Sequence, residues 1–291
     1  EIVTLPFAAV SIAPSFAGIF EPWQYMRLPA ALRRLGFRYV AETALGASLV
    51  AEQMAQYVAS HPKKPSICTS CPAAVIYIEK YRSVEIKHLM PIVSPMIAHA
   101  MHIKKRLGDQ AKVVFIGPCV AKKVEAQRPQ YAGLVDCVLT FEELDEWFKR
   151  KNIDLSTCED SAFDEQPSAK SRLFPVEGGS MATAGLRTDI VDNTVLFVSG
   201  FGEMEEAVDS LASKKINCII EPLVCPQGCL NGAGIKKGKG NLFERRAKLI
   251  AYAQSPTDNP SMLQNQDNLE TFFEKKENGN RLDVSEEQIR H

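Results

Sequence analysis

The sequence has little of what marks membrane, secreted or polyanion-binding proteins. Its 34 Lys and Arg residues nearly balance its 35 Asp and Glu residues, so a formal net charge of -1 gives no overall field to attract nucleic acid or an anionic membrane. No segment approaches the ~20 continuous apolar residues of a spanning helix, and residues 5–10 lack the basic leader of a signal peptide. Eight cysteines without a repeating spacing are too few to staple a secreted chain of 291 residues. We therefore expect a cytoplasmic protein that binds neither nucleic acid nor a membrane.

What the sequence does contain is the material for a large core. With 45% hydrophobic residues in 291, it predicts one large or two modest domains. Short β-branched runs alternate with helical patterns, which predicts an α/β fold with largely parallel sheets and helical crossovers. The predicted strands cover residues 6–12, 38–43, 112–116, 137–140, 195–199 and 216–222. The predicted helices cover residues 30–35, 48–59, 95–107, 141–151, 203–215 and 242–253.

Composition also suggests a division of the chain into two parts. Residues 1–254 form the main unit, and within it the polar residues 158–170 are a surface excursion or a seam between two lobes. Residues 255–268 have the composition of a linker. The highly charged residues 269–291 predict a helix that leads toward a further domain.

Four cysteines stand beside Pro or Gly at places where a ligand site is expected. In open α/β sheets such sites lie beyond the carboxyl ends of strands. The cysteines are Cys71 before Pro72, Cys119 after Pro118, and the pair Cys225 and Cys229 in Cys-Pro-Gln-Gly-Cys. Four thiolates from three loops suit an iron-sulfur cluster or a closed tetrahedral zinc site. The Pro-Cys and Gly-Cys contexts favour the larger ligand.

The other four cysteines have simpler interpretations. Cys137, Cys158 and Cys218 are expected to be ordinary buried thiols. Cys68 is less clear, because Cys68-Thr69-Ser70-Cys71 is a Cys-x-x-Cys. It could be redox-active, or half of a zinc site completed by Cys225 and Cys229.

Taken together, the three cysteine loops resemble, in order and spacing, the cluster-binding loops of the iron-only hydrogenase large subunit. The sequence Ser-Ile-Ala-Pro-Ser-Phe at residues 11–16 and the sequence Leu-Phe-Pro-Val-Glu-Gly-Gly at residues 173–179 also resemble that family, and the likeness covers roughly residues 10–249. It implies two lobes of twisted sheet flanked by helices, with a metal cluster buried between them. By position, the four cysteines would ligate a 4Fe-4S cluster, and Cys229 would also bridge to a diiron subsite with carbon monoxide, cyanide and azadithiolate ligands.

The resemblance further implies an enzyme that reversibly oxidises H2 and reduces protons. Its partners would be maturation proteins and an electron-transfer partner or an attached iron-sulfur or sensory domain. Lys122 matches the cation that binds a cyanide, and Glu125 matches a carboxylate of the proton route. Other positions that would surround the diiron unit are Ala13, Pro14, Ser15, Ser94, Met96, Gly117, Pro118, Phe174, Gly178, Gly179 and Leu223.

Departures from the family pattern suggest an altered pocket. Ser70 stands where catalytic members carry the cysteine that hands on protons, and serine is far less acidic than a thiol of pKa ~8.5. Met96 replaces a glutamine, Gly117 and Leu223 replace methionines, and Glu177 adds a charge. These changes are similar to those of the sensory branch of the family, and they predict slow turnover.

Two alternatives stay open. One is a hydrogenase-like protein of iron-sulfur assembly or prelamin recognition, which keeps the 4Fe-4S cluster without a diiron subsite. The other is a zinc-stabilised scaffold without redox chemistry. His99 and His102 are expected to be ordinary helix residues, and residues 234–240 a solvated basic loop without the Gly-Lys-Ser/Thr ending of a phosphate-binding loop.

Overall fold

The structure is a computed structural model that describes residues 7–186, 194–236, 240–255 and 268–276, and within them the strands form two parallel sheets. The first sheet has the order β2-β1-β4-β5, formed by β1 (Ala8–Ile12), β2 (Tyr39–Glu42), β4 (Lys112–Gly117) and β5 (Cys137–Thr140). The second has the order β3-β7-β6, formed by β3 (Ser66–Ile67), β6 (Val195–Ser199) and β7 (Ile219–Leu223). All the pairings of these strands are parallel, so the predicted α/β architecture is confirmed.

Helices connect the strands and cover both sheets, as parallel pairing requires. They are α1 (Phe16–Ile19), α2 (Pro22–Arg34), α3 (Ala44–Ser60), α4 (Pro72–Tyr81), α5 (Pro95–Leu107), α6 (Ala121–Ala126), α7 (Phe141–Arg150), α8 (Gly179–Thr183), α9 (Phe201–Ala212) and α10 (Leu242–Gln254). Three of them, α2, α4 and α5, begin with proline, whose fixed φ suits the first helical position.

The predicted elements correspond to observed ones, with instructive differences. Strands β5 and β6 and helix α5 have the predicted bounds, whereas α2 begins eight residues before the predicted start at residue 30. Pro29 lies inside α2, and a proline there is usually a sign that a helix has ended. Strand β3 and helices α4 and α6 were not predicted. Two residues in β3 and six in α6 are too few to show a hydrophobic period.

Two hydrophobic clusters form the core, a large one around the first sheet and a smaller one around β3 and β7. Helices α3 and α5 cross closely at Gly46, where a Cβ atom would lie 2.2 Å from the carbonyl oxygen of Pro95. Glycine therefore allows the backbones to approach. The strands of both sheets direct their carboxyl ends toward the loops that carry the four cysteines.

The polar stretch 158–170 runs along the first sheet. The Val40 backbone amide donates to the Asp164 carboxylate at 2.6 Å, and the Ser161 amide donates to the Met26 carbonyl at 2.9 Å. The stretch therefore covers the β2 edge and α2.

The charged C-terminal segment is extended where the structure describes it, so the predicted helix is wrong for residues 269–276. Glu270 forms an antiparallel bridge with Ile92, and Leu269 is buried. Leu269 is buried, Thr271 and Phe273 are half-buried, and Glu270 and Phe272 are exposed, an alternation with the period of a strand that the charge pattern concealed. Residues 277–291 lie outside the described part. Among the described residues no helix is both long and apolar enough to cross a bilayer.

Candidate metal centre

The four cysteines singled out from the sequence come together at one place. Cys71 immediately precedes α4, Cys119 follows β4, and Cys225 and Cys229 follow β7. Burial raises the pKa of the Cys119 thiol to about 11, with Cys71 adding to the rise and Lys122 opposing it. Burial also raises the pKa of Cys229, and the other three thiols raise it further. Because such effects fade with distance, the three loops hold the thiols as neighbours.

Backbone contacts between the loops explain why glycines surround the cysteines. The Cys229 amide donates to the Pro175 carbonyl at 2.8 Å, and the Gly234 amide donates to the Pro118 carbonyl at 2.8 Å. At Gly232 a Cβ atom would lie 2.5 Å from the Pro118 oxygen. Gly228 has a φ of +92°, a conformation that side chains disfavour. Glycine therefore lets the Cys225–Cys229 loop lie directly against the Cys119 loop.

Four neighbouring thiols are a donor set for a metal centre, either a 4Fe-4S cluster or a tetrahedral zinc ion. Each of Cys71, Cys119, Cys225 and Cys229 has a proline or glycine beside it, and such loops allow the close backbone approach that the larger ligand needs. The residues present therefore fit an iron-sulfur cluster.

A cavity of about 90 Å³ lies beside Cys119 and Cys229. Eleven of the residues predicted to form the site line it: Ala13, Pro14, Ser15, Ser70, Met96, Pro118, Cys119, Lys122, Phe174, Leu223 and Cys229. Five more line it that were not predicted: Thr43, Ala47, Pro95, Phe115 and Pro175. Of these, Pro95 and Pro175 are sequence neighbours of predicted residues and could have been found. Thr43 directly follows β2 and Phe115 lies on β4, and only the fold brings them to the cavity.

The remaining predicted positions lie elsewhere. Ser94 is buried but does not line the cavity. Gly117 does not line it either, and a Cβ atom there would lie 2.6 Å from the Phe115 ring. Gly178 and Gly179 line a different cavity, of about 470 Å³, next to α10. The local backbone explains why both positions are glycine. Gly178 has a φ of +74°, and a Cβ atom on Gly179 would lie 1.8 Å from the Leu173 oxygen.

Lys122 is the cation of the cavity wall. Only 8% exposed, it places Nζ 2.6 Å from Glu125 Oε2 and 3.4 Å from the Ser70 carbonyl oxygen. Glu125 is buried but is not among the residues that line the cavity. The Glu125 carboxylate therefore fixes the Lys122 ammonium and balances its charge from outside the cavity.

Two hydroxyls of the wall are unsatisfied. Ser15 Oγ and Ser70 Oγ are buried and have no hydrogen-bond partner among the described residues. Buried polar atoms are normally paired, so these two suit a polar ligand in the cavity. With the Lys122 ammonium beside them, the residues present fit a compact anionic group attached to the neighbouring cysteines.

The other cysteines are separate from this centre. Cys158 and Cys218 are buried and Cys137 is half-buried. Cys68, also buried, has its pKa raised by burial and by the nearby Glu221 carboxylate.

Comparison with known proteins places the chain in a family. Residues 7–233 match the C-terminal domain of the iron only hydrogenase large subunit. The chain is 26% identical to the NADP-reducing hydrogenase subunit HndD of Solidesulfovibrio fructosivorans, over 78% of this chain and 48% of that protein. It is 28% identical to the probable cytosolic Fe-S cluster assembly factor oxy-4 of Caenorhabditis elegans, over 86% of this chain and 65% of that protein. The chain thus spans about half to two thirds of the length of these relatives.

The fold agrees with this match. A structure of a variant of apo [FeFe]-hydrogenase HydA1 from Chlamydomonas reinhardtii superposes with a TM-score of 0.68 at 17% identity, covering 92% of this chain and 94% of that one. The family match, which covers more than three quarters of the sequence, includes the loops of Cys71, Cys119, Cys225 and Cys229. The chain belongs to the family formed by the C-terminal domain of the iron-only hydrogenase large subunit.

Proposed function

We propose that this chain is a hydrogenase domain of low turnover that serves as a hydrogen sensor. In this proposal Cys71, Cys119, Cys225 and Cys229 would hold a 4Fe-4S cluster, and Cys229 with the residues of the adjoining cavity would hold a diiron subsite. When bound, that group supplies the redox chemistry of splitting and forming H2. The observation that carries the proposal is the cavity beside Cys119 and Cys229, with its buried Lys122 and two unpaired hydroxyls.

The side chains of the cavity wall have distinct roles. Lys122 offers N–H donors to an anionic ligand such as cyanide, and Glu125 fixes the ammonium in place. Met96, Phe174 and Leu223 keep water out, which strengthens electrostatic interactions inside the cavity.

Low turnover follows from Ser70. Its hydroxyl lies at the cavity wall without a hydrogen-bond partner among the described residues, so it has no side chain to which it could pass a proton. A hydroxyl is also far less acidic than a thiol of pKa ~8.5. We expect Ser70→Cys to raise hydrogen turnover of the loaded protein, measured per diiron unit. Ser213→Cys at the exposed end of α9 is the control and leaves the rate unchanged. Unchanged turnover in Ser70→Cys at equal loading would reject Ser70 as the limit.

The cysteine content of the chain bears on where electrons would go. The cysteines outside the cluster loops are Cys68, Cys137, Cys158 and Cys218, whose spacing is not that of a ferredoxin. Electrons would therefore pass to a separate partner or to a domain joined to this one.

A second candidate is a role in iron-sulfur cluster assembly without a diiron subsite. The similarity to oxy-4 over 86% of the chain favours it. In that case the cavity would stay free of iron while the four cysteines hold one cluster.

Anaerobic purification after co-expression with hydrogenase maturation proteins separates the hypotheses. The proposal expects a brown protein with infrared bands of metal-bound carbon monoxide and cyanide. Four irons without these bands would support the assembly role, and a colourless zinc protein would refute both. Cys71→Ser should lose the cluster, whereas the matched variant Cys68→Ser, three residues away, should retain it.

A further inference from the structure

A chain of hydrogen-bonding side chains begins at the cavity wall. Thr43 lines the cavity, and its Oγ1 lies 2.7 Å from Ser11 Oγ on β1. Ser11 Oγ in turn lies 2.7 Å from His99 Nδ1 on α5. Thr43 is 4% exposed, and Ser11 and His99 are completely buried. This inner part therefore runs through the core without contact with solvent.

The outer part of the chain continues one turn along α5. The His102 ring is nearly parallel to the His99 ring, with centroids 6.1 Å apart. His102 Nε2 lies 2.9 Å from Glu165 Oε2, and Arg106 binds the other oxygen of that carboxylate at 2.9 Å. The His102 side chain is 18% exposed, so it connects the buried chain with solvent.

The imidazole of His99 has an open nitrogen between these two parts. His99 Nε2 is buried and has no hydrogen-bond partner among the described side chains. Buried ring nitrogens are normally satisfied, and a bridging water molecule is one partner that could satisfy this nitrogen. Burial lowers the pKa of His99 to about 3, with His102 adding and Glu165 opposing. The ring is therefore neutral, and a neutral imidazole can accept a proton at one nitrogen while it donates from the other.

We propose that Thr43, Ser11, His99 and His102 form a proton route between the cavity and solvent. The inference rests on the proposed function, because the cavity must hold a reaction that releases or takes up protons. In the outward direction Thr43 gains a proton from the cavity and gives its own to Ser11, and Ser11 gives its own to His99 Nδ1. His99 releases its Nε2 proton toward His102, which passes one to solvent. Each step breaks one O–H or N–H bond and forms another, and one proton moves in total without electron transfer.

The other polar groups of the wall do not offer such a route. The hydroxyls of Ser15 and Ser70 have no partner among the described residues. The Lys122 ammonium is a donor that contacts Glu125 and the Ser70 carbonyl, and Glu125 does not reach the cavity. Thr43 is thus the lining residue from which described hydrogen bonds lead to the buried His99, whose ring lies beside the ring of the partly exposed His102.

The first test removes His102, the partly exposed end of the proposed route. In the matured protein we expect His102→Ala to lower hydrogen turnover at least about tenfold, since positioned proton transfer commonly contributes about 100-fold or more. Added imidazole should restore most of the rate by replacing the lost ring. The control is His88→Ala, because His88 is 17% exposed and also pairs with a buried carboxylate, Glu85. It should keep the wild-type rate and show no response to imidazole.

The second test needs no metal. In 15N-histidine NMR spectra of the apo protein, exchange of the His99 ring N–H with solvent should be at least about tenfold slower in His102→Phe than in the wild type, and unchanged in His88→Ala. Full turnover in His102→Ala, or a loss that imidazole does not restore combined with unchanged His99 exchange, would overturn the route. If the wild type has no hydrogen turnover, the proposed function fails, and the exchange measurement still decides whether the route exists.

Discussion

Replacing Arg172 with methionine tests how much a buried ion pair next to the cavity wall contributes to stability. Arg172 lies in the turn Lys170–Leu173 that leads directly to Phe174 of the wall. Its Nη2 and Nε atoms lie 2.8 and 3.3 Å from the two oxygens of Glu42, which is completely buried at the end of β2. Tyr252 donates to the same carboxylate at 2.7 Å. Methionine keeps the apolar stem and removes the cation.

The cost can be worked from the carboxyl left behind. Burial raises the pKa of Glu42 above its ordinary 4.5, and Arg172 and Tyr252 oppose that rise. Without Arg172 the folded protein must keep Glu42 protonated, while the unfolded chain ionises it. Measured against the unfolded chain, at 1.36 kcal/mol per pH unit, this costs up to about 3.4 kcal/mol at pH 7 and about 0.7 kcal/mol at pH 5. These figures are upper limits for the loss relative to the wild type, in which the pKa of Glu42 is already raised. Because the folded-state pKa is raised, the variant approaches wild-type stability in acid and falls behind as the pH rises.

Urea unfolding of the apo protein, followed by circular dichroism under anaerobic conditions, measures this difference. We expect Arg172→Met to lose up to about 3 kcal/mol at pH 7 and less at pH 5. The control Arg27→Met removes the exposed pair with Asp160 and a hydrogen bond to the Ser156 carbonyl, and it should cost about 1 kcal/mol or less, equally at both pH values. The double variant Glu42→Gln/Arg172→Met should recover much of the loss. A loss below about 1 kcal/mol at pH 7, or equal losses at the two pH values, would refute the reasoning.

Two further changes test the site more directly. Gly179→Ala should lower the free energy of unfolding in urea by several kcal/mol, because the new Cβ atom would lie 1.8 Å from the Leu173 oxygen. The control is Gly202→Ala in α9, where a Cβ atom meets nothing within 4 Å. It should be neutral or stabilise the protein by up to about 1 kcal/mol. Lys122→Met should leave Glu125 buried without its cation, which costs about 3 kcal/mol in the same assay. Under the proposed function, it should also weaken the infrared bands of the proposed carbon monoxide and cyanide ligands, while iron analysis still finds the proposed 4Fe-4S cluster. Bands of wild-type intensity and frequency would contradict the proposed role of Lys122.

Local sequence signals predicted much of the fold and the cysteine set. Cys71, Cys119, Cys225 and Cys229 could be singled out because each has a proline or glycine beside it in the sequence, and the fold brings these four thiols together. Helix α5 was predicted at its observed bounds, since a proline begins it and a glycine follows it. Pro29 and Leu269 show the limits of such signals, because packing against neighbours overrode a helix breaker in one case and a charged pattern in the other.

The sequence by itself determined which donors are available and which local turns can present them. Only the tertiary structure decided that Thr43 reaches the cavity, that Glu42 pairs with Arg172 across 130 residues, and that His99, expected to be an ordinary helix residue, contacts Ser11 across 88 residues. These pairings depend on how helices lie across strands, which follows from the packing of the whole core rather than from any short pattern.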